Sequence, residues 1–178
     1  LVAGSLAGCA LQEHAGVLQV TETQGWYPLG LHLAYLADPD GSLTLEQVVA
    51  LDHAGGFTPS RSQLPAMGLS QPVVWARLSL RSDLPQASAW LLEIGRPFMN
   101  YLDVYIPQPD GSLALWQVGA WAPFAAREIP YRTFVFNLLL PSQGEQTIYV
   151  RIQHSGQIML DFTLWAPGIF AANQTQDQ

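Results

Sequence analysis

Two short stretches share one spacing: W-A-R at 75–77 and Y-V-R at 149–151. In each, an aromatic ring and a guanidinium stand two residues apart, so on an extended strand both point to the same face. Y-L-D-V-Y-I at 101–106 adds Asp103 and Tyr105 by the same alternation. If these strands share a sheet, one surface collects Trp75, Arg77, Asp103, Tyr105, Tyr149 and Arg151. Flat rings stack on the C–H faces of sugars, forked guanidiniums hold hydroxyls and carboxylates, and Asp103 accepts from hydroxyls. The chemistry suggested is recognition of a small polar or anionic molecule. The same residues also suit a plainer role. Cross-strand pairs between arginine and carboxylate, here Arg77 and Arg151 with Glu93 and Asp103, stabilise a solvated sheet by a few tenths to about 1 kcal/mol each.

The elements that must position these residues follow from alternation and turn chemistry. Strands are expected over 29–37, 73–81, 89–95, 101–107, 113–119, 132–140, 146–153 and 158–165. Turn signals lie between many of them, at D-P-D-G (38–41), D-L-P-Q (83–86), P-D-G-S (109–112), P-S-Q-G-E (141–145) and H-S-G-Q (154–157). Thr44 and Gln47 have capping-box spacing and predict a short helix over about 45–51 that ends by Gly55-Gly56, with Val48, Val49 and Leu51 buried. Residues 54–72, rich in Gly, Pro, Ser and Gln, predict a long ordered loop pinned by Phe57 and Met67. Short strands at this spacing with a single helix predict an all-β fold, two packed antiparallel sheets of about eight strands.

Composition narrows the function. The chain has 178 residues, 49% of them hydrophobic and 12% charged, enough for one domain with a sizeable core. The formal net charge is −7 and every basic residue is arginine. No nucleic-acid partner is expected, because phosphate recognition needs clustered Lys and Arg. No cofactor motif and no metal-ligand spacing occurs: the four histidines (14, 32, 53, 154) are scattered, and D-P-D-G is too short for an EF-hand loop, which leaves it as a plain turn or a contributor to a looser calcium site. Nucleophile-elbow and phosphate-loop patterns are missing as well. Glu93 and Asp103 are the carboxylates to consider for glycoside hydrolysis, which depends on their separation in the fold.

The front of the chain, L-V-A-G-S-L-A-G-C-A, is small and apolar, like the end of a signal peptide. Leu6-Ala7-Gly8-Cys9 resembles a lipobox, so Cys9 is either lipidated, removed by ordinary cleavage or retained. As the single cysteine it forms no internal disulfide.

Taken in order, Y-L-A-D-P-D-G-S-L-T-L-E-Q-V (35–48), W-A-R-L-S-L (75–80), W-L-L-E-I (90–94), L-D-V-Y-I (102–106), D-G-S (110–112), G-A-W-A-P-F-A-A-R (119–127), Y-R-T-F-V-F (131–136), Y-V-R-I (149–152) and L-W-A-P (164–167) carry a family likeness. From about Leu29 to Phe170 the chain resembles the second type of extracellular sensor domain of bacterial seven-transmembrane receptors with diverse intracellular signalling modules. The resemblance implies a jelly-roll β-sandwich similar to carbohydrate-binding modules, lying in the periplasm ahead of membrane helices. It implies a ligand, carbohydrate or organic acid, and an output through a cytoplasmic histidine kinase or diguanylate cyclase. It adds Arg127 and Arg132 to the candidate ligand-binding residues. The lipobox-like start departs from the pattern.

The domain organisation expected is a leader remnant or flexible segment over 1–16, a periplasmic sensor domain over 17–170, and a linker toward a membrane domain over 171–178. The domain is anchored to the membrane through the rest of its receptor, and no catalysis is expected of it. Two alternatives remain open, an interaction domain that pairs receptors as homodimers through the aromatic face, and a glycan-processing enzyme.

Overall fold

The computed structural model describes residues 16–68, 72–96 and 98–176. The expectations placed on residues 1–15, Cys9 among them, lie outside these.

Two sheets face each other. The strands in chain order are β1 (Val17–Val20), β2 (Trp26–Pro28), β3 (Leu33–Ala37), β4 (Thr58–Pro59), β5 (Val73–Ser82), β6 (Ser88–Ile94), β7 (Tyr101–Pro107), β8 (Leu113–Val118), β9 (Phe134–Leu140), β10 (Glu145–Gln153) and β11 (Phe162–Trp165). Helix α1 spans Leu45–His53 and α2 spans Pro167–Gln176. The seven-stranded sheet runs β4-β3-β5-β10-β7-β8, with β1 also paired to β5; the four-stranded sheet runs β2-β11-β6-β9. Counting β2 and then β5 to β11 as strands one to eight, the two sheets read 1-8-3-6 and 2-7-4-5. That is the jelly-roll order, in which consecutive strands, the β7–β8 hairpin apart, cross between the sheets. The ladders are antiparallel except β1 with β5.

The inner faces form the main core, filled by one face of each alternating strand. Leu102, Val104 and Ile106 come from β7, and Ile148, Val150 and Ile152 from β10; each is at most 1% exposed. They meet Leu92, Ile94, Phe134, Phe136 and Leu164 from the smaller sheet.

The seven strands expected from 73 onward are all present, within a few residues at most ends. There are three differences. The first strand shortens to Leu33–Ala37 because Gly30–His32 turn as a 3₁₀ helix. Three short strands (β1, β2 and β4) are added, too brief for alternation to register. The tail expected as a linker is itself helical as far as Gln176, and Phe170 at its start tucks onto the outside of the smaller sheet against Tyr131 and Trp165, with ring centroids 5.3 and 6.1 Å away. The described part of the long loop, as far as residue 68, packs on the sandwich at the two expected side chains. Phe57 and Met67 are both 8% exposed, and Met67 N donates to Ile158 O at 2.8 Å.

Helix α1 carries the expected capping box: Gln47 N donates to Thr44 Oγ1 and Thr44 N donates to Gln47 Oε1. Of the three residues expected to be buried, only Val48 is; Val49 is half-buried and Leu51 is exposed. The helix lies on the sheet along one narrow line that contains Val48 and Asp52, four residues apart and therefore on one face.

Candidate functional site

The outer face of the larger sheet carries the two x-Arg tripeptides directly opposite one another. Across β5 and β10 the partners are Trp75 with Arg151, Arg77 with Tyr149, Ser79 with Thr147 and Arg81 with Glu145. On the far side of β10, Tyr149 faces Tyr105, Arg151 faces Asp103 and Gln153 faces Tyr101. The six residues grouped from the sequence therefore share one face.

That face is not open where the tripeptides stand. The segment from Asp38 to Phe57, with α1 at its centre, lies over it. Trp75 is 1% exposed and packs with Ala34, Val48 and Phe57 in a second, smaller core. Here the expectation of an accessible aromatic platform is corrected: burial of Trp75 comes from α1, not from the inter-sheet core. Trp75 stacks on Tyr105 (5.9 Å between centroids, 22° between planes), and its Nε1–H donates to Asp38 Oδ2 at 3.2 Å. Asp38 is itself 2% exposed and accepts from the amides of Ser42 and Leu43. Its carboxylate thus closes the D-P-D-G turn and pins it to the sheet.

Asp52 reaches down from α1 to hold Arg77 and Tyr149. Arg77 Nη1 donates to its Oδ1 at 2.8 Å and the Tyr149 hydroxyl donates to its Oδ2 at 2.7 Å. The Arg77 guanidinium also lies 5.9 Å from the Phe57 ring centroid, and Phe57 meets Tyr149 edge to face. Burial raises the Tyr149 hydroxyl pKa above its ordinary value, and the neighbouring Asp52 carboxylate raises it further, with Arg77 opposing. Arg77 does not pair with Glu93 or Asp103.

Beyond α1 the face opens. Arg151 spans the boundary: its Nη2 donates to Gly41 O at 3.3 Å, and its Nη1 lies 3.4 Å from Gln153 Oε1 and 3.9 Å from Asp103 Oδ2. Gln117 on β8 donates to Asp103 Oδ1 at 3.3 Å. Next to this polar strip, Tyr101 and Trp121 stack at 6.4 Å with an interplanar angle of 24°, and they are 45% and 70% exposed. Tyr105 sits between the strip and Trp75, half-buried. Burial and the Asp103 carboxylate raise its hydroxyl pKa, while Arg151 lowers it.

Arg127 and Arg132 lie elsewhere. Arg127 Nη1 donates to the carbonyls of Tyr131, Arg132 and Thr133, and its guanidinium packs over Phe124 and Phe134, where it stitches the 119–133 connection to β9. The Arg132 guanidinium lies 5.6 Å from the Tyr131 ring. Both are on the side of the smaller sheet, so the structure does not bring them to the Trp75 face. Glu93 is on that outer side as well, where it accepts from Thr133 Oγ1 and Trp165 Nε1. Glu93 and Asp103 therefore point outward from opposite sheets, and the pairing considered for hydrolysis is overturned: a core about 10 Å thick separates their strands.

The residues that sequence reasoning left out are Asp52 and Asp38, which clamp the tripeptides, and Trp121 with Gln117 and Gln153. Asp52 had a signal in its spacing from Val48. Trp121 stood in the family stretch 119–127, beside a glycine turn.

The family model described as 7TMR-DISM extracellular 2 matches residues 30–166. The chain belongs to this family. The 7TMR-DISM extracellular 2 domain is an extracellular sensor domain of seven-transmembrane receptors, and the match runs from the 3₁₀ turn before β3 to the end of β11, so α1, the clamped tripeptides and the open strip all fall within it. Sensor domains of this family are not catalysts. No curated protein matches the chain. Among solved structures, the insecticidal crystal protein Cry2Aa shows a slight likeness, at 9% identity with a TM-score of 0.32, over 56% of this chain and 16% of that one. The chain thus spans less than a fifth of that protein's length. Among the described residues, no helix is long and apolar enough to cross a membrane.

Proposed function

We propose that this domain recognises a small hydroxylated or anionic molecule, a carbohydrate or an organic acid, on the open flank of its larger sheet. The domain would lie in the periplasm and report binding through the receptor's membrane part to a cytoplasmic kinase or diguanylate cyclase. One observation carries the reading: two exposed, mutually stacked rings, Tyr101 and Trp121, adjoin a strip of Asp103, Gln117, Arg151 and Gln153. Exposed stacked aromatics gain by covering an apolar ring face, and the adjoining donors and acceptors give a hydroxylated ligand its hydrogen bonds. Among the residues first grouped, Asp103, Tyr105 and Arg151 contribute to this flank. Trp75, Arg77 and Tyr149 support it from beneath α1.

The test is a calorimetric screen of glycans and organic acids against the wild type and the variants Trp121→Ala, Asp103→Asn and Arg151→Ala. A ligand that binds the wild type and loses about ten- to a hundredfold in affinity in each variant, at nearly unchanged thermal midpoint, supports the reading. Undiminished binding by Trp121→Ala, or no binding by any compound in the screen, counts against it.

A further inference from the structure

We propose a second ligand site at the other end of the sandwich, a proline-walled cavity that takes a small neutral aromatic molecule with one N–H or O–H donor. The cavity measures about 590 Å³, within the range of small-molecule sites. Pro107, Pro109, Pro141, Leu139 and Ala87 supply apolar walls, and Gln146 lines it from β10. Gln146 lies near the start of β10, whereas Gln153 ends that strand beside Tyr101 of the open flank. On an extended strand the two glutamines are roughly 23 Å apart.

The walls are tied together by the protein itself. Three turns meet here, 83–87, 107–112 and 141–144. Gln143 N donates to Leu84 O at 3.2 Å, Ser82 N to Gly144 O at 2.8 Å and Gln108 N to Ser112 O at 2.8 Å. The Ser142 hydroxyl donates to Pro85 O at 2.9 Å. Proline fixes its own φ and carries no N–H, so these walls are stiff and offer few donors of their own. A site already shaped in this way loses little freedom when a ligand enters.

Gln146 breaks the apolar pattern of its strand. It shares the inner face of β10 with Ile148, Val150 and Ile152, pairs with Leu80 on β5, and is 7% exposed. Its Nε2 donates to Pro107 O at 2.8 Å, which fixes the amide's orientation, since a carbonyl only accepts. That leaves Oε1, the one buried side-chain acceptor without a partner among the described residues. A buried acceptor left unmet is costly, and a donor carried in by a ligand removes that cost. The terminal amide torsion is soft, so a modest turn presents Oε1 to the cavity. Proline C–H groups suit the electron-rich face of an aromatic ring. An ion suits the site poorly: Glu145, the charged group in the lining, already accepts from Arg81 Nη2 at 2.8 Å, and apolar walls do not replace lost hydration. The cavity shares no residue with the open flank, so it stands independently of the function proposed there.

The test titrates indole and N-methylindole, which differ in the N–H donor, into the isotope-labelled whole chain and follows its amide signals by NMR. Indole should shift the backbone amides of Gln108, Ser142 and Gln146 together with the Gln146 side-chain amide. It should bind about tenfold more tightly than N-methylindole. Gln146→Leu, which restores the apolar pattern of β10, should bind the two probes alike, with a melting curve to show that it folds. A preference that survives in Gln146→Leu would come from the bulk of the methyl group and overturn the role of Oε1. Should that variant not fold, Leu139→Arg carries the test. It alters an exposed wall position and should weaken indole by about tenfold or more; unchanged binding overturns the site. Equal affinity of the wild type for both probes, shifts confined to Tyr101 and Trp121, or no binding of indole up to about 10 mM would each overturn the proposal as well.

Discussion

Tyr149 donates its hydroxyl hydrogen to Asp52 at 2.7 Å, across 97 residues of chain. Arg77, directly opposite Tyr149 on the neighbouring strand, takes the other oxygen of the same carboxylate. A single helical aspartate thus joins α1 to two adjacent strands and explains why each of these strands carries a polar tip on a face that is otherwise covered.

Removing that carboxylate should loosen the roof. Asp52→Ala leaves a guanidinium and a phenol without their partner at a site where the aspartate side chain is 8% exposed. The expected loss is about 2–4 kcal/mol, or about 5–15 °C in midpoint by calorimetry. An unchanged midpoint would show that α1 is held by Val48 and Phe57 alone.

Alkaline pH should weaken the same contact. Tyr149 has a folded-state pKa above the ordinary value of 10.0. The folded protein therefore keeps a proton that the unfolded chain releases, and the contribution is whole below about pH 10 and lost as the pH rises beyond it. Tyr105 adds in the same direction. Urea unfolding at several pH values between about 8 and 11 should show stability falling at the upper end. Tyr149→Phe should start about 1–2 kcal/mol lower and fall less steeply. Parallel curves for the two proteins would contradict this.

The two arginines should behave differently. Arg77 makes a 2.8 Å bond to a buried carboxylate, whereas the polar contacts of Arg151 run from 3.3 to 3.9 Å. Arg77→Ala is expected to cost about 2–3 kcal/mol and Arg151→Ala less than about 1 kcal/mol in thermal unfolding. Equal losses would place both residues in the same bracing role.

Gly119 should tolerate no side chain. Its φ is +144°, and an added Cβ would lie 2.2 Å from Asn100 O. Gly119→Ala should destabilise by about 1–3 kcal/mol or more and disturb the stack of Tyr101 on Trp121, which this turn positions. Far-ultraviolet and near-ultraviolet circular dichroism with a melting curve would show it; a variant as stable as the wild type would refute the close approach.

Much of this was legible in the sequence, and for a definite reason. Alternation fixes which side of a strand each residue faces, so the ladder partners Trp75 with Arg151 and Arg77 with Tyr149 could be grouped on one face before any strand order was known. The capping box at Thr44 and Gln47 and the turn at Pro109–Gly111 act within a few residues, and both are as the local chemistry requires. Placement across the chain was different. Whether the outer face is open or roofed depends on where α1 docks, and a helix with one fully buried apolar residue gives no such address. Glu93 and Asp103 have the same alternation signature, yet the jelly-roll order puts them on opposite sheets, because consecutive strands β6 and β7 cross between layers. Arg127 and Arg132 were grouped with the site by family position, and only the tertiary structure assigns them to the β9 side. Period two decides which way a side chain points; what stands over it is decided by contacts between residues far apart in the chain, which no local spacing records.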